Sequence, residues 1–201
     1  MRIRYFASLI ILAFPVFSLQ AFAQSKSFVD QRARVTKTVT LFSRTKHPEL
    51  PGYGKSAFSF KHGVRSDVGL KVTRNNYELL YGNFNMNGDS DNFSVTMVTD
   101  DSSRMKDLGV LKWDQVSKVQ LPALSAALPS QPIRLPSKTE TFEESSNGRV
   151  VRVALGHVYL VRSKDTESDF YTLFRVEKLL PNDQVTISWR AVSLSEIAPQ
   201  N

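Results

Sequence analysis

The chain has 201 residues, a formal net charge of +7 and no cysteine. Without a thiol it can hold no disulfide, no Cys-built zinc site, no thiol nucleophile and no redox pair, so burial alone must stabilise its fold. The length suits one domain, or at most two small ones, with a real core.

Arg2 and Arg4 precede an apolar run from Phe6 to Leu19, and Ala21-Phe22-Ala23 places small residues at the two positions a signal peptidase reads. A signal peptide over 1–23 is therefore expected, cleaved before Gln24. The run is short for a membrane span and is interrupted by Pro15. Removing 23 of the 201 residues, two of them Arg and none acidic, leaves 178 with a net charge of +5. The expected product, 24–201, is exported to a periplasm or the extracellular space and has no transmembrane segment. The lack of cysteine and the Ala-x-Ala pattern lean towards a bacterial export route.

Residues 33–43 alternate Ala33, Val35, Lys37, Val39 and Leu41 with Arg34, Thr36, Thr38, Thr40 and Phe42, which predicts a strand. Pro48, Pro51, Gly52 and Gly54 mark a loop. Short strands are expected at Ala57–Lys61 and Val68–Thr73, around a His62-Gly63 turn. Tyr77–Met86 and Asn92–Val98 read as a hairpin joined through Asn87-Gly88, a dipeptide that supplies positive φ cheaply. Asp100 or Asp101 is then expected to cap a turn of helix over Ser102–Leu108, stopped by Gly109. Prolines 122, 129, 132 and 136 suggest an extended connector over 121–136, with one helical turn at 123–128, and 139–148 reads as an acidic loop.

Arg149–Arg162, Asp169–Leu180 and Gln184–Val192 then read as three strands with short polar connectors. Loops this short close an antiparallel meander, since parallel pairing needs a long crossover. Period-2 spacing places Phe170, Phe174, Val176, Ile187 and Trp189 inwards. Ser193-Leu194-Ser195-Glu196 has the form of a capping box with room for one turn. The fold class is mainly β: an antiparallel sandwich or partly open barrel, with a C-terminal three-strand meander and few short helical turns, in a single β-rich domain.

Motifs that carry chemistry are sparse. His47, His62 and His157 are scattered, and neither G-x-S-x-G nor H-E-x-x-H occurs. His62 reads as a solvated loop residue and His157 as a half-buried sheet histidine. Gly52-Tyr53-Gly54-Lys55-Ser56 ends as phosphate loops do, but Glu49 stands where the first glycine of such a loop belongs. Asn83, Asn85, Asn87, Asp89 and Asp91 place oxygen side chains at every second position, with Gly88 after the third, as in an EF-hand calcium loop. Ser94 replaces the closing Glu and no flanking helix is expected, so a polar hairpin tip is the plainer reading. Asn92-Phe93-Ser94 is also a glycosylation sequon, meaningful only in a eukaryotic source. No cofactor is implied.

Charge is uneven. Lys26 to Glu78 holds eleven Lys or Arg against four Asp or Glu, whereas Leu79 to Val110 holds two against five. Arg32, Arg34, Lys37, Arg44, Lys46, Lys55, Lys61, Arg65, Lys71 and Arg74 make up the basic stretch, with Phe42, Tyr53, Phe58, Phe60 and Tyr77 between them. Outside a cytoplasm such a surface suits acidic polysaccharide or lipid head groups, although a solvated strand face has the same composition. The function expected first is a non-enzymatic exported binding module for an anionic polymer. The others are a hydrolase or lyase acting on an acidic glycan, and an assembly factor pairing through a strand edge.

Overall fold

The computed structural model describes residues 37–48, 53–65, 77–85, 88–95, 103–124, 147–165 and 168–199. Among these residues, ten strands form two five-stranded sheets in which every pairing is antiparallel. The first sheet contains β1 (Lys37–Phe42), β6 (Arg104–Val110), β8 (His157–Lys164), β9 (Asp169–Leu180) and β10 (Gln184–Val192), in the order β1-β10-β9-β8-β6. The second contains β2 (Ala57–Ser59), β3 (Val64–Arg65), β4 (Leu79–Tyr81), β5 (Asn92–Ser94) and β7 (Val150–Arg152), in the order β3-β2-β4-β5-β7. The sheets stay open, so the arrangement is a sandwich and not a barrel.

The expected meander is present as β8-β9-β10, joined by the turn Pro181-Asn182-Asp183. Asn182 takes the positive φ that the turn needs and that Asn tolerates. Phe174, Val176, Ile187 and Trp189 lie in the core between the sheets, and Phe170 packs against it. Phe58, Phe60, Tyr81, Phe93 and Tyr159 complete an aromatic interior, in which Phe93 meets Phe174 edge-on at 4.9 Å and Tyr159 stacks on Phe174 at 5.0 Å. Gly82 ends β4 at φ +66, where Ser43 approaches so closely that a Cβ would lie 2.8 Å from its Cα.

The first sheet is buried on both faces. Val158, Leu160, Tyr171, Leu173 and Val192 point away from the sandwich into a second cluster with Val116, Leu121 and Leu124. One helical turn, α1 (Trp113–Val116), and a parallel bridge from Leu121 to Ile197 form that cover. Side chains fasten it: Trp113 Nε1 donates to Ser188 Oγ at 2.9 Å, and Arg162 reaches the Leu124 carbonyl at 2.6 Å. The Ser193–Glu196 box forms its single turn, with Glu196 accepting from the Ser193 amide at 2.9 Å.

Two expectations are corrected. Arg104–Val110 is an edge strand and not a helix: Met105 is buried opposite Val161, and seven residues make a marginal helix without tertiary support. Gly109 does have positive φ, but it sits in a bulge where its amide donates to Asp107 Oδ1 at 2.7 Å. Arg149–Arg162 is two strands in different sheets, broken at Gly156 with φ +80. Leu121 and Leu124, at the start of the expected connector, pack into the second cluster. Residues 1–36, 66–76, 96–102 and 125–146 lie outside the described residues, and with them the signal peptide, the Val68–Thr73 strand and the turn at 123–128 beyond Leu124.

Candidate functional site: a basic seam between the sheet edges

β1 and β3 are edge strands of opposite sheets, and side chains from the second sheet close on β1. Arg65 of β3 donates from Nη1 to the Thr40 carbonyl at 2.9 Å. Lys55, in the 3-10 turn Gly54–Ser56, places its ammonium 5.4 Å from the centroid of Phe42. At the other end of β1, Lys37 lies 5.7 Å from the Trp189 centroid, directly across the β1–β10 register. The β2–β3 turn reaches that same end, where a Cβ on Gly63 would lie 3.5 Å from the indole and 3.9 Å from Lys37 Nζ. Arg44, just past β1, sits 5.8 Å over Tyr53, which packs on Tyr77 at 5.0 Å. Cation–π contacts of this kind hold a charge in place while leaving its outer side to solvent.

The seam thus brings together Lys37, Arg44, Lys55 and Arg65, and Lys61 stands exposed in the β2–β3 turn. Lys46 adjoins it but is shared with Asp183 at 3.1 Å, and His47 faces the same carboxylate at 2.8 Å. The His47 and Lys46 bonds hold the Asp183 carboxyl below its usual range. Arg32, Arg34, Lys71 and Arg74 lie outside the described residues. Of the aromatics interleaved in the sequence, Phe42, Tyr53 and Tyr77 form the platform, whereas Phe58 and Phe60 belong to the core. Sequence reasoning had assigned Trp189 to the core alone. It is 5% exposed and does pack there, yet it also carries Lys37.

Glu78 is the second residue that sequence reasoning missed. It was counted only as one acid among four, although an ionisable residue inside Tyr77-Glu78-Leu79-Leu80-Tyr81 is itself a signal. Its Oε2 accepts from the Phe60 amide at 2.5 Å and the Lys61 amide at 3.4 Å, while Ser59 Oγ donates to Oε1 at 3.3 Å. Burial nevertheless pushes its carboxyl up to about 7, against the pull of those bonds and of the Lys61 charge.

The described acids of the 79–110 stretch make their contacts elsewhere. Asp89 pairs with Arg152 at 2.9 Å. Asp91 Oδ1 accepts from the Tyr81 hydroxyl at 2.5 Å and the Asn182 amide at 2.8 Å, while Asn182 Oδ1 takes the Ser90 amide at 2.5 Å. The would-be calcium loop is therefore a latch between β4–β5 and the β9–β10 turn. Asn85 caps the Gly88 amide at 2.9 Å, Asn83 lies half-buried in the loop after β4, and Asn87 lies outside the described residues. Burial, and next the bond to Asp91, push the Tyr81 hydroxyl well above its usual range. Among the described residues no group of three or more His, Asp or Glu is placed to hold a metal ion.

His157 Nδ1 faces Asp107 at 2.8 Å on β6 and β8, across the sheet from β1. His62 is an exposed turn residue, and His157 is a half-buried sheet residue. No protein-family model, no curated protein and no solved structure matches the chain.

Proposed function

We propose that the chain is an exported, non-enzymatic binding module whose β1 seam holds one strand of a linear anionic polysaccharide. The observation that carries this reading is the anchoring of Lys37, Lys55 and Arg44 on aromatic rings along a single strand edge. β1 has six residues, so its edge extends roughly 17 Å at the rise of an extended chain, long enough for several charges of one polymer. A row suits a chain, whereas a lipid surface would be met by a broad face. Export rests on the Arg2, Arg4 and Ala21-Phe22-Ala23 pattern. The secreted protein should begin at Gln24 by N-terminal sequencing, and a chain starting at Met1 in membranes would contradict it.

The test is retention on immobilised heparin as salt rises, for the mature protein and for a Lys37→Gln/Lys55→Gln/Lys61→Gln variant. Each lost contact should lower the slope of log affinity against log salt by roughly one. Equal elution of the two proteins would reduce the seam to a solvated surface. Vesicles of phosphatidylserine serve as the second arm, and tighter binding there than to heparin would overturn the polysaccharide reading.

A further inference from the structure

The turn that follows β1 carries three basic side chains, Arg44, Lys46 and His47, and one acid answers two of them. Asp183 of the β9–β10 turn accepts from Lys46 Nζ on Oδ2 at 3.1 Å and faces His47 Nε2 with Oδ1 at 2.8 Å. The His47 ring also meets Phe42 edge-on at 5.8 Å, and Phe42 is the ring that seats the Lys55 ammonium. His47 therefore shares one neighbour with Lys46 and another with Lys55. Backbone bonds that do not titrate fix the turn. The His47 amide donates to the Ser43 carbonyl at 3.0 Å, the Ser43 amide to the Asp183 carbonyl at 2.7 Å, and the Arg44 and Thr45 amides to the Tyr81 and Gly82 carbonyls at 3.1 and 2.9 Å. A proton on Nε2 can serve Asp183 in either charge state of the ring. The charge can change while the turn keeps its shape.

We infer that His47 is a further cation of the seam, present or absent according to pH, and that the seam binds a polyanion more tightly when His47 is protonated. This rests on the polyanion reading of the seam. With His47 neutral, the charges of Lys46 and Asp183 cancel; with His47 protonated, the three together add one positive charge beside Lys55 and Arg44. The charged groups around it are Arg44 and Lys46 of its own turn, Asp183 of the β9–β10 turn and Lys55 across Phe42. Asp91 of the latch lies beyond Asp183, bonded to the Asn182 amide. An imidazole is the side chain that changes charge across neutrality. The bonds from His47 and Lys46 hold the Asp183 carboxyl below its usual range, so it stays ionised there.

The experiment compares His62→Gln with His47→Gln/His62→Gln for binding of a heparin oligosaccharide, whose sulfates stay ionised throughout, at pH 5.5 and pH 8. His62 is replaced in both because it is exposed in the β2–β3 turn and gains charge over the same range. His157 and Glu78 are common to both proteins and cancel. One Coulomb interaction near a surface corresponds to about a fivefold difference in affinity between the two forms, seen as roughly fourfold between those pH values. The pH 5.5 to pH 8 affinity ratio should be about fourfold larger in the single variant than in the double variant, and equal ratios would overturn the inference. Reciprocal linkage provides a measurement on the wild-type protein that needs no variant. The titration midpoint of the His47 ring, followed by NMR, should rise by about 0.7 pH unit with the oligosaccharide bound, the logarithm of that fivefold coupling. An unmoved midpoint overturns the inference while leaving the seam intact. Absence of binding at both pH values at low salt removes the seam reading, and this inference with it.

Discussion

The two sheets of this sandwich are held in different ways. β8, β9 and β10 run for eight, twelve and nine residues in a nearly continuous ladder, and both faces of that sheet are buried. Among the described residues no strand of the second sheet exceeds three residues, yet β2, β4 and β5 are wholly buried. So few ladder bonds fix the second sheet poorly by themselves. Polar side chains complete it: Glu78 ties β4 to the β2–β3 turn, and Asp91 with Asn182 ties β4–β5 to the β9–β10 turn. One half of the molecule is specified by repeated apolar alternation, and the other by a few hydrogen-bonded carboxylates. The basic seam lies where the two halves meet.

The largest effect should come from the aromatic interior they share. Trp189→Ala removes a ring that meets Phe58 at 5.4 Å and Phe60 at 5.6 Å, and denaturant unfolding should show a loss of about 3–5 kcal/mol. A loss under about 1 kcal/mol would mean that the sheets do not depend on this contact.

Next comes the pH response of the second sheet. Glu78 has a folded value of about 7 against an ordinary 4.5, so the folded state holds its proton more tightly than the unfolded state does. Its contribution is full below pH 4.5, is lost as pH rises through about 7, and is constant above that. The shift corresponds to about 3 kcal/mol between those limits. Carboxyls held low by basic partners, such as Asp169 by Arg162, lose stability in the opposite direction on acidification. The quantity to measure is therefore the difference between wild type and Glu78→Gln at pH 5 and pH 8, with Glu78→Gln gaining relative stability at pH 8. No change in that difference would remove the burial account of Glu78.

Asp91→Ala should cost about 1–3 kcal/mol, because it leaves the buried Tyr81 hydroxyl and the Asn182 amide without their shared acceptor. In a Tyr81→Phe background the same substitution should cost about 1 kcal/mol less, as expected for partners in direct contact. Additive effects would show that the latch does not act as a unit.

This division also explains what the sequence revealed. Asp169–Leu180 and Gln184–Val192 were legible to the residue because period-2 spacing accumulates over nine or twelve positions. At Arg149–Arg162 the same signal ran on through Gly156, since alternation does not record which sheet a strand joins. At Ser102–Leu108 the acids before it and Gly109 after it imitate helix ends, while pairing of Arg104–Val110 with β8 decides the outcome. In the seam, the cations were visible as composition, but their seats on Trp189, Phe42 and Tyr53 depend on contacts between distant segments. Asp91 stands in a calcium-like spacing, but spacing alone does not show that its Oδ1 accepts from Tyr81 and Asn182.

The smallest effect on folding should come from the seam lysines, yet they carry the central claim. Lys37→Gln/Lys55→Gln/Lys61→Gln should unfold within about 0.5 kcal/mol of wild type, as surface substitutions commonly do. Affinity for heparin oligosaccharides of increasing length at fixed low salt tests that claim most directly. The account predicts a steep rise until the oligosaccharide covers roughly 17 Å of the β1 edge, a shallow dependence beyond it, and no such step in the triple variant. Affinity that ignores length, or a step that survives the loss of all three lysines, would contradict it.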